Sequence, residues 1–282
     1  MDLAKKDDRI ILLFADISVY LFNDFKTKFP NRFYNLGICE NTLISVAAGL
    51  SSQNFYPFVH SIAPFITERS FEQIKLDLCY NQFGANILSC GASFDYAWDG
   101  ASHNCYTDLA ILRLLPNIEL IQPGSRKELD VLIRSQYNNG KTTYFRLSDY
   151  PHDIDIPVEF GKAVILKDIG SKVTVMTAGP ILANVMEASK DLGVNLVYFH
   201  TIKPIDKDTI NKFKNTKILV IHDAFGLYEA ICSVPNISVS YHGLRDEFSG
   251  YYGTVHDIRK KVGFDVEGIR NCVIGIIKSN RI

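Results

Sequence analysis

Along the 282-residue chain, short runs of β-branched and aromatic apolar residues alternate with longer stretches in which apolar positions recur every three or four residues. Runs of the first kind read as strands: RIILLFAD (9–16), ANILSC (85–90), IELIQP (118–123) and TTYFRLS (142–148), then KVTVMTAG (172–179), NLVYFHTI (195–202), KILVIHDA (217–224) and CVIGII (272–277). Between them, Leu43, Val46, Ala47 and Leu50 follow the spacing of one apolar helix stripe, and Leu182, Val185, Ala188 and Leu192 form a second that ends at Gly193. Strands separated by amphipathic helices predict an α/β fold of mostly parallel sheets flanked by helices. The segment LSDYPHDIDIPVEFGK (147–162) carries two prolines and little periodicity between two such blocks. Two domains are therefore expected, 1–155 and 156–282.

Composition narrows the function classes. With 47% apolar residues and a mean hydropathy of +0.03, the chain can bury two ordinary cores. A formal net charge of −1 offers no global electrostatic case for nucleic acid or an anionic membrane. The six cysteines stand singly at 39, 79, 90, 105, 232 and 272, without the pairing of a zinc site, so reduced, packed thiols and a cytoplasmic location are expected. The apolar stretch near the start is broken by Asp16 and is too short for a membrane span.

Glu40 is the first residue that asks for chemistry. It stands in NLGICEN (35–41), between a glycine turn and the first helix stripe. A carboxylate in a helix's first turn is favoured by the macrodipole by about 0.3–1 kcal/mol, which by itself would account for it. Asp16 can likewise be read as a strand-ending carboxylate, Phe65 as core, and His60 as a satisfied structural imidazole.

The blocks DDRIILLFADIS (7–18), FPNRFYNLGICEN (29–41), AAGLSSQNFYPFVHSIAPFITERSFEQI (47–74), DGASHNCYTDLAILRLLPNIELIQPG (99–124) and TTYFRLS, followed by KVTVMTAG and FHTIKPID (199–206), change that balance. In this order they resemble the C-terminal half of transketolase, and more closely the second chain of transketolases split over two polypeptides; the last sixty or so residues match loosely. The resemblance implies a pyrimidine-binding domain followed by a transketolase C-terminal domain. It also implies thiamine diphosphate and Mg2+ as cofactors. Glu40 matches the "G-I-x-E" glutamate that contacts a ring nitrogen of the aminopyrimidine, where a shared proton lets the exocyclic amine deprotonate the thiazolium carbon. Asp16 matches an aspartate near the thiazolium side, and Phe65 an aromatic packed on the pyrimidine, with Ile62 where a second aromatic is common. WDGASH (98–103) resembles the substrate loop "EDG-x-T/S-H"; it implies a catalytic role for His103 and a substrate contact for Asp99, with Trp98 replacing the glutamate. Arg146, retained in YFRLSD, and His60 complete the candidate substrate contacts.

Departures from the family pattern point to the substrate and to a partner. Asp149 stands where the family commonly has an arginine that grips a sugar phosphate, and Gly91 stands where many members have the histidine of "S-H-A-G". An unphosphorylated or nucleotide-linked sugar is therefore expected. The family's "G-D-G…N" diphosphate and metal segment does not occur in the sequence, so no metal ligand is assigned here. The resemblance implies an α2β2 assembly with a diphosphate-binding N-terminal subunit. Alone, the chain is expected to be a folded dimer or monomer without activity. In the second domain His200 is read as structural, Arg259, Lys260 and Lys261 as a solvated helix face, and His222 and Asp223 receive no role. The β subunit of a 2-oxo acid dehydrogenase, which acylates a lipoyl carrier, and a non-catalytic assembly module of the same fold are the competing readings.

Overall fold

The computed structural model describes residues 1–279 except 246, 249 and 251. Its strands are β1 (Ile10–Phe14), β2 (Phe33–Asn35), β3 (Tyr56–Ile62), β4 (Asn86–Cys90), β5 (Ile118–Ile121), β6 (Thr142–Arg146), β7 (Val164–Lys167), β8 (Val173–Ala178), β9 (Asn195–Phe199), β10 (Thr201–Lys203), β11 (Lys217–Ile221) and β12 (Val239–His242). Two sheets result, ordered β10-β5-β6-β4-β3-β1-β2 and β12-β11-β8-β9-β7. Each is parallel except for one edge strand, β10 on β5 and β7 on β9. The α/β architecture of two mostly parallel sheets flanked by helices is thus present in both halves.

Strands such as β1 are apolar along their whole length because both sheet faces are covered. In β1, Ile11 and Leu13 enter the main core, whereas Ile10, Leu12 and Phe14 pack with Phe25, Phe33 and Phe58 on the opposite face. The same alternation divides β3. Val59 lies in the main core and Ser61 reaches Glu40, while Phe58 packs on the other side.

Three sequence expectations are corrected. CVIGII is not a strand but part of a helix, Val266–Lys278, whose start is capped by the Asp265 side chain accepting from the Gly268 N–H. Its fully buried residues, Ile269 and Val273, are one helical turn apart, and they pack with Val185 and Ala188 in the second core. Tertiary packing overrides β-branched content here. The helix Leu182–Ser189 stops before Gly193, its last residues turning back through a Leu192 N–H to Ser189 carbonyl bond of 3.1 Å. On the helix Glu40–Ser52 the buried stripe is Leu43, Ile44, Ala47 and Ala48, and Val46 is 36% exposed.

The two halves interlock. Strand β10 of the second half extends the first sheet, and the Gln122 N–H donates to the His200 carbonyl at 2.8 Å. His222 Nε2 lies 2.8 Å from Gln122 Oε1, and the Tyr198 hydroxyl donates to Glu128 Oε2 at 2.6 Å. Phe94 and Ala97 of the first half belong to the second core. His200 and His222 are both fully buried, and burial pushes each down to about 4. Among the described residues no helix is long and apolar enough to cross a membrane.

Candidate active site

The carboxylate of Glu40 begins the helix Glu40–Ser52 and is only 2% exposed. Cys39, the residue before it, makes no side-chain cap, so the start of this helix carries an anion rather than a hydroxyl. Both carboxylate oxygens are engaged. Ser61 Oγ donates to Oε1 at 3.3 Å, and Arg69 Nη1 donates to Oε2 at 2.8 Å. A helix-start charge needs neither burial nor a guanidinium partner, so the macrodipole alone does not account for Glu40.

Arg69 also joins Glu40 to Phe65. Its guanidinium carbon sits 4.6 Å from the Phe65 ring centroid, and the His103 imidazole meets the same ring edge-on at 5.0 Å. Glu40, Arg69, Phe65 and His103 therefore form one contiguous set drawn from three segments of the chain. Ile62 is buried at the end of β3 and supplies the residue before the helix Ala63–Thr67, which carries Phe65. His103 is held through Nδ1, 2.9 Å from Ser102 Oγ.

The other candidates fall around this set. Asp16 is exposed in a left-handed conformation (φ +60°) after β1. Asn35 Nδ2 donates to Asp16 Oδ1 at 2.9 Å, while Asn35 Oδ1 accepts from the Asp16 and Gly37 N–H groups at 3.0 and 3.2 Å. Asp16 is thereby tied to the glycine turn that launches the Glu40 helix. Asp99 is exposed in the loop after β4. His60 faces the side of β3 opposite Ser61; its Nδ1 lies 2.9 Å from the Leu88 carbonyl, its Nε2 is buried without a partner, and burial lowers its pKa. It is not grouped with Glu40.

Arg146 is corrected as a substrate contact. It is 1% exposed, with Nε shared between the two oxygens of buried Asp108 at 2.9 and 3.0 Å and Nη2 donating to Ser93 Oγ and the Cys105 carbonyl. Tyr144 donates to the same Asp108 carboxylate at 2.6 Å. This guanidinium is enclosed by protein acceptors, so it braces β6 against the loop 93–108. The solvated-face reading of Arg259 is corrected as well: its Nη2 lies 3.5 Å from Asp223 Oδ2 and its side chain is 16% exposed, whereas Lys260 and Lys261 are exposed.

Gly91 has a physical reason to lack a side chain. Its φ is +77°, and a Cβ there would lie 2.4 Å from the Tyr96 ring, whose hydroxyl donates to Cys90 Sγ at 3.4 Å. Tyr96 fills that space and borders Trp98 at 5.8 Å and His103 at 6.4 Å. Asp149 is exposed, and its N–H donates to Asp95 at 2.8 Å. Burial pushes the Asp95 carboxyl up to about 7, against the bonds it accepts from Asp149 and Ser148.

Sequence reasoning does not single out Arg69, Ser61, Asn35 or Tyr96. Only Arg69 has a legible signal, since it follows Phe65 by four residues, the spacing at which helical side chains meet. Among the described residues, no group of three or more His, Cys, Asp or Glu side chains is placed to hold a metal ion.

The profile of the transketolase pyrimidine-binding domain matches residues 1–149, and that of the transketolase C-terminal domain matches residues 161–269. The chain belongs to the transketolase family. Among curated relatives, a subunit of the apulose-4-phosphate transketolase of Phocaeicola vulgatus is 29% identical over 99% of this chain and 95% of its own length. A 6-deoxy-6-sulfo-D-fructose transketolase subunit from a Clostridium species is 26% identical over 95% of this chain and 89% of its own. A solved structure described as a split gene transketolase, inactive beta4 tetramer, superposes with a TM-score of 0.88 at 28% identity, covering 99% of this chain and 96% of that one.

Proposed function

We propose that this chain is the β-like subunit of a two-component, thiamine diphosphate-dependent transketolase that moves a two-carbon ketol unit between sugars. One observation carries the reading: a nearly fully buried carboxylate and a half-buried aromatic ring lie within reach of a single guanidinium. An aminopyrimidine asks for that pair, a carboxyl for its ring nitrogen and an apolar face for its ring. The chain's own groups fit this end of the cofactor. Glu40 would hold the ring nitrogen and share its proton, Phe65 would orient the ring and exclude water, and Asp16 would stand at the thiazolium side. Bound there, thiamine diphosphate supplies the carbon nucleophile. His103 meets the ring of Phe65 edge-on, and the two nitrogens of an imidazole can give and take a proton; it would pass protons to and from sugar hydroxyls, and Asp99 would line the same channel.

The diphosphate and Mg2+ are assigned to a partner subunit that carries the family's diphosphate-binding domain. Two relatives named as subunits and a split-gene neighbour support this division, and an α2β2 complex in the cytoplasm is the proposed working form. The neighbour's β4 state supports a tetramer, rather than the dimer or monomer read from sequence, for the isolated chain.

The substrate is proposed to be an unphosphorylated or nucleotide-linked sugar. Asp149 lines a cavity of about 340 Å³ together with Ser148, Cys90 and His60, and its carboxylate would repel a phosphate dianion. A second reading has its own support. Arg126 lines the same cavity, and the two curated relatives are named for a phosphorylated and a sulfonated sugar. Reconstitution with the partner, assayed for ketol transfer to matched phosphorylated and unphosphorylated acceptors, tests both points. The isolated chain is expected to be inactive, the complex active, and the unphosphorylated acceptor preferred. A preference for the phosphorylated acceptor would select the second reading, and lipoyl acylation without ketol transfer would overturn the function.

A further inference from the structure

Arg69 occupies both groups that the proposed function assigns to the pyrimidine ring. Its Nη1 bonds Glu40 Oε2 at 2.8 Å while its planar guanidinium lies 4.6 Å from the centre of Phe65. A guanidinium and a ring-protonated aminopyrimidine present the same two features, a flat π face and an N–H edge from which a carboxylate can accept. Glu40 is 2% exposed and Arg69 46% exposed, so the buried partner is fixed and the outer one has room to leave. A carboxylate this buried is strongly disfavoured when unpaired, and Arg69 reaches in from the rim to neutralise it. A half-exposed arginine can regain its hydration by rotating outward, at the cost of one charge-assisted bond and one ring contact.

We propose that Arg69 is an internal stand-in for the cofactor ring: it keeps Glu40 paired and Phe65 covered while the ring site is empty, and it swings to solvent when an aminopyrimidine enters. This rests on the assignment of Glu40 and Phe65 given above. Two consequences follow. The polar part of Arg69's contribution to stability runs through Glu40. Arg69 also competes with the cofactor, so an incoming ring must displace it, and the apparent affinity is reduced by the fraction of chains in which Arg69 is docked.

The test combines stability of the isolated chain with thiamine diphosphate binding by the reconstituted complex, the latter measured by titration calorimetry. Arg69→Gln is expected to lower the melting temperature of the chain alone, and the same substitution in a Glu40→Gln background is expected to change it little. In the complex, Arg69→Gln is expected to tighten thiamine diphosphate binding by about three- to tenfold, as removal of a competitor requires, and Arg69→Lys, which keeps the charge without the planar fork, is expected to fall between. A tenfold weakening in Arg69→Gln, with the wild-type complex binding normally, would overturn the proposal and make Arg69 a cofactor contact. An equal loss of melting temperature in both backgrounds would overturn it too. Failure of the wild-type complex to bind thiamine diphosphate would instead count against the proposed function, and the stability comparison would still report on the pair.

Discussion

In the reconstituted complex, Glu40→Gln should lower ketol transfer by at least about a hundredfold while subunit assembly persists. The amide keeps the size and shape of the carboxyl and can still accept from Ser61, so the helix start and its packing survive. What it loses is the ability to share a proton with a ring nitrogen, a function that removal of a positioned acid or base typically reduces by 10²–10⁴-fold. A purely helix-starting role for Glu40 predicts a very different outcome. The macrodipole contributes only about 0.3–1 kcal/mol, so stability would drop slightly and turnover would stay near wild type. Turnover numbers of the variant and wild-type complexes, measured beside their elution on gel filtration, separate the two.

That prediction depends on a residue whose importance is only half legible in the sequence. NLGICEN identifies Glu40 through its place before a helix stripe and through family resemblance, but not its burial. Its partner Arg69 lies 29 positions away, and no local periodicity links a turn after one helix to the start of another. Arg146 shows the opposite case. A cation at the end of a strand near the WDGASH loop reads as available, yet Asp108 and the Cys105 carbonyl, both far from it in sequence, enclose it in a polar network beside the sheet. Gly91 reads as a missing side chain, and only the position of the Tyr96 ring explains it. A parallel strand buried on both faces, such as β1, is readable as a continuous apolar run. Strand β3 is not, since Pro57, His60 and Ser61 break its apolar run, and CVIGII reads as a strand because β-branched residues at helical spacing mimic a short buried one.

The second large effect concerns acid. His200 and His222 have folded pKa values of about 4, caused by burial, against an ordinary 6.5. A histidine kept neutral in this way contributes stability that is fully present above pH 6.5 and is lost as the pH falls through 4, because the unfolded chain takes up the proton first. Each should account for roughly 3 kcal/mol between those limits. His60 and His152 are lowered in the same direction by burial. Asp95 and Glu128 oppose them: burial holds the folded pKa of Asp95 at about 7, above the ordinary 3.8, and raises that of Glu128, so their contributions grow as the pH falls. The four lowered histidines outnumber them, and the denaturation midpoint should fall between about pH 7.5 and pH 4.5. His222→Asn, whose side chain can still bond Gln122, should remove roughly 2–3 kcal/mol of that loss, and Asp95→Asn should deepen it. Equal pH slopes in the wild type and His222→Asn would show that the His222 imidazole is already protonated, or solvated, in the folded chain.

These effects meet at the junction of the two halves. His222 contacts Gln122 beside the β5–β10 pairing, and Phe94 and Ala97 flank the loop that ends at His103. Packing of the C-terminal domain thus holds the loop that carries His103 beside Phe65, which gives the second domain a structural part in the proposed site.

The most direct measurement is a calorimetric titration of thiamine diphosphate with Mg2+ into this chain, into the diphosphate-binding partner, and into their mixture. A cofactor cradle completed across two polypeptides predicts tight binding, one cofactor per pair of chains, in the mixture alone, and a marked loss of affinity when Glu40→Gln replaces the wild type. Binding of equal strength by the partner without this chain, or by the mixture irrespective of Glu40, would contradict it.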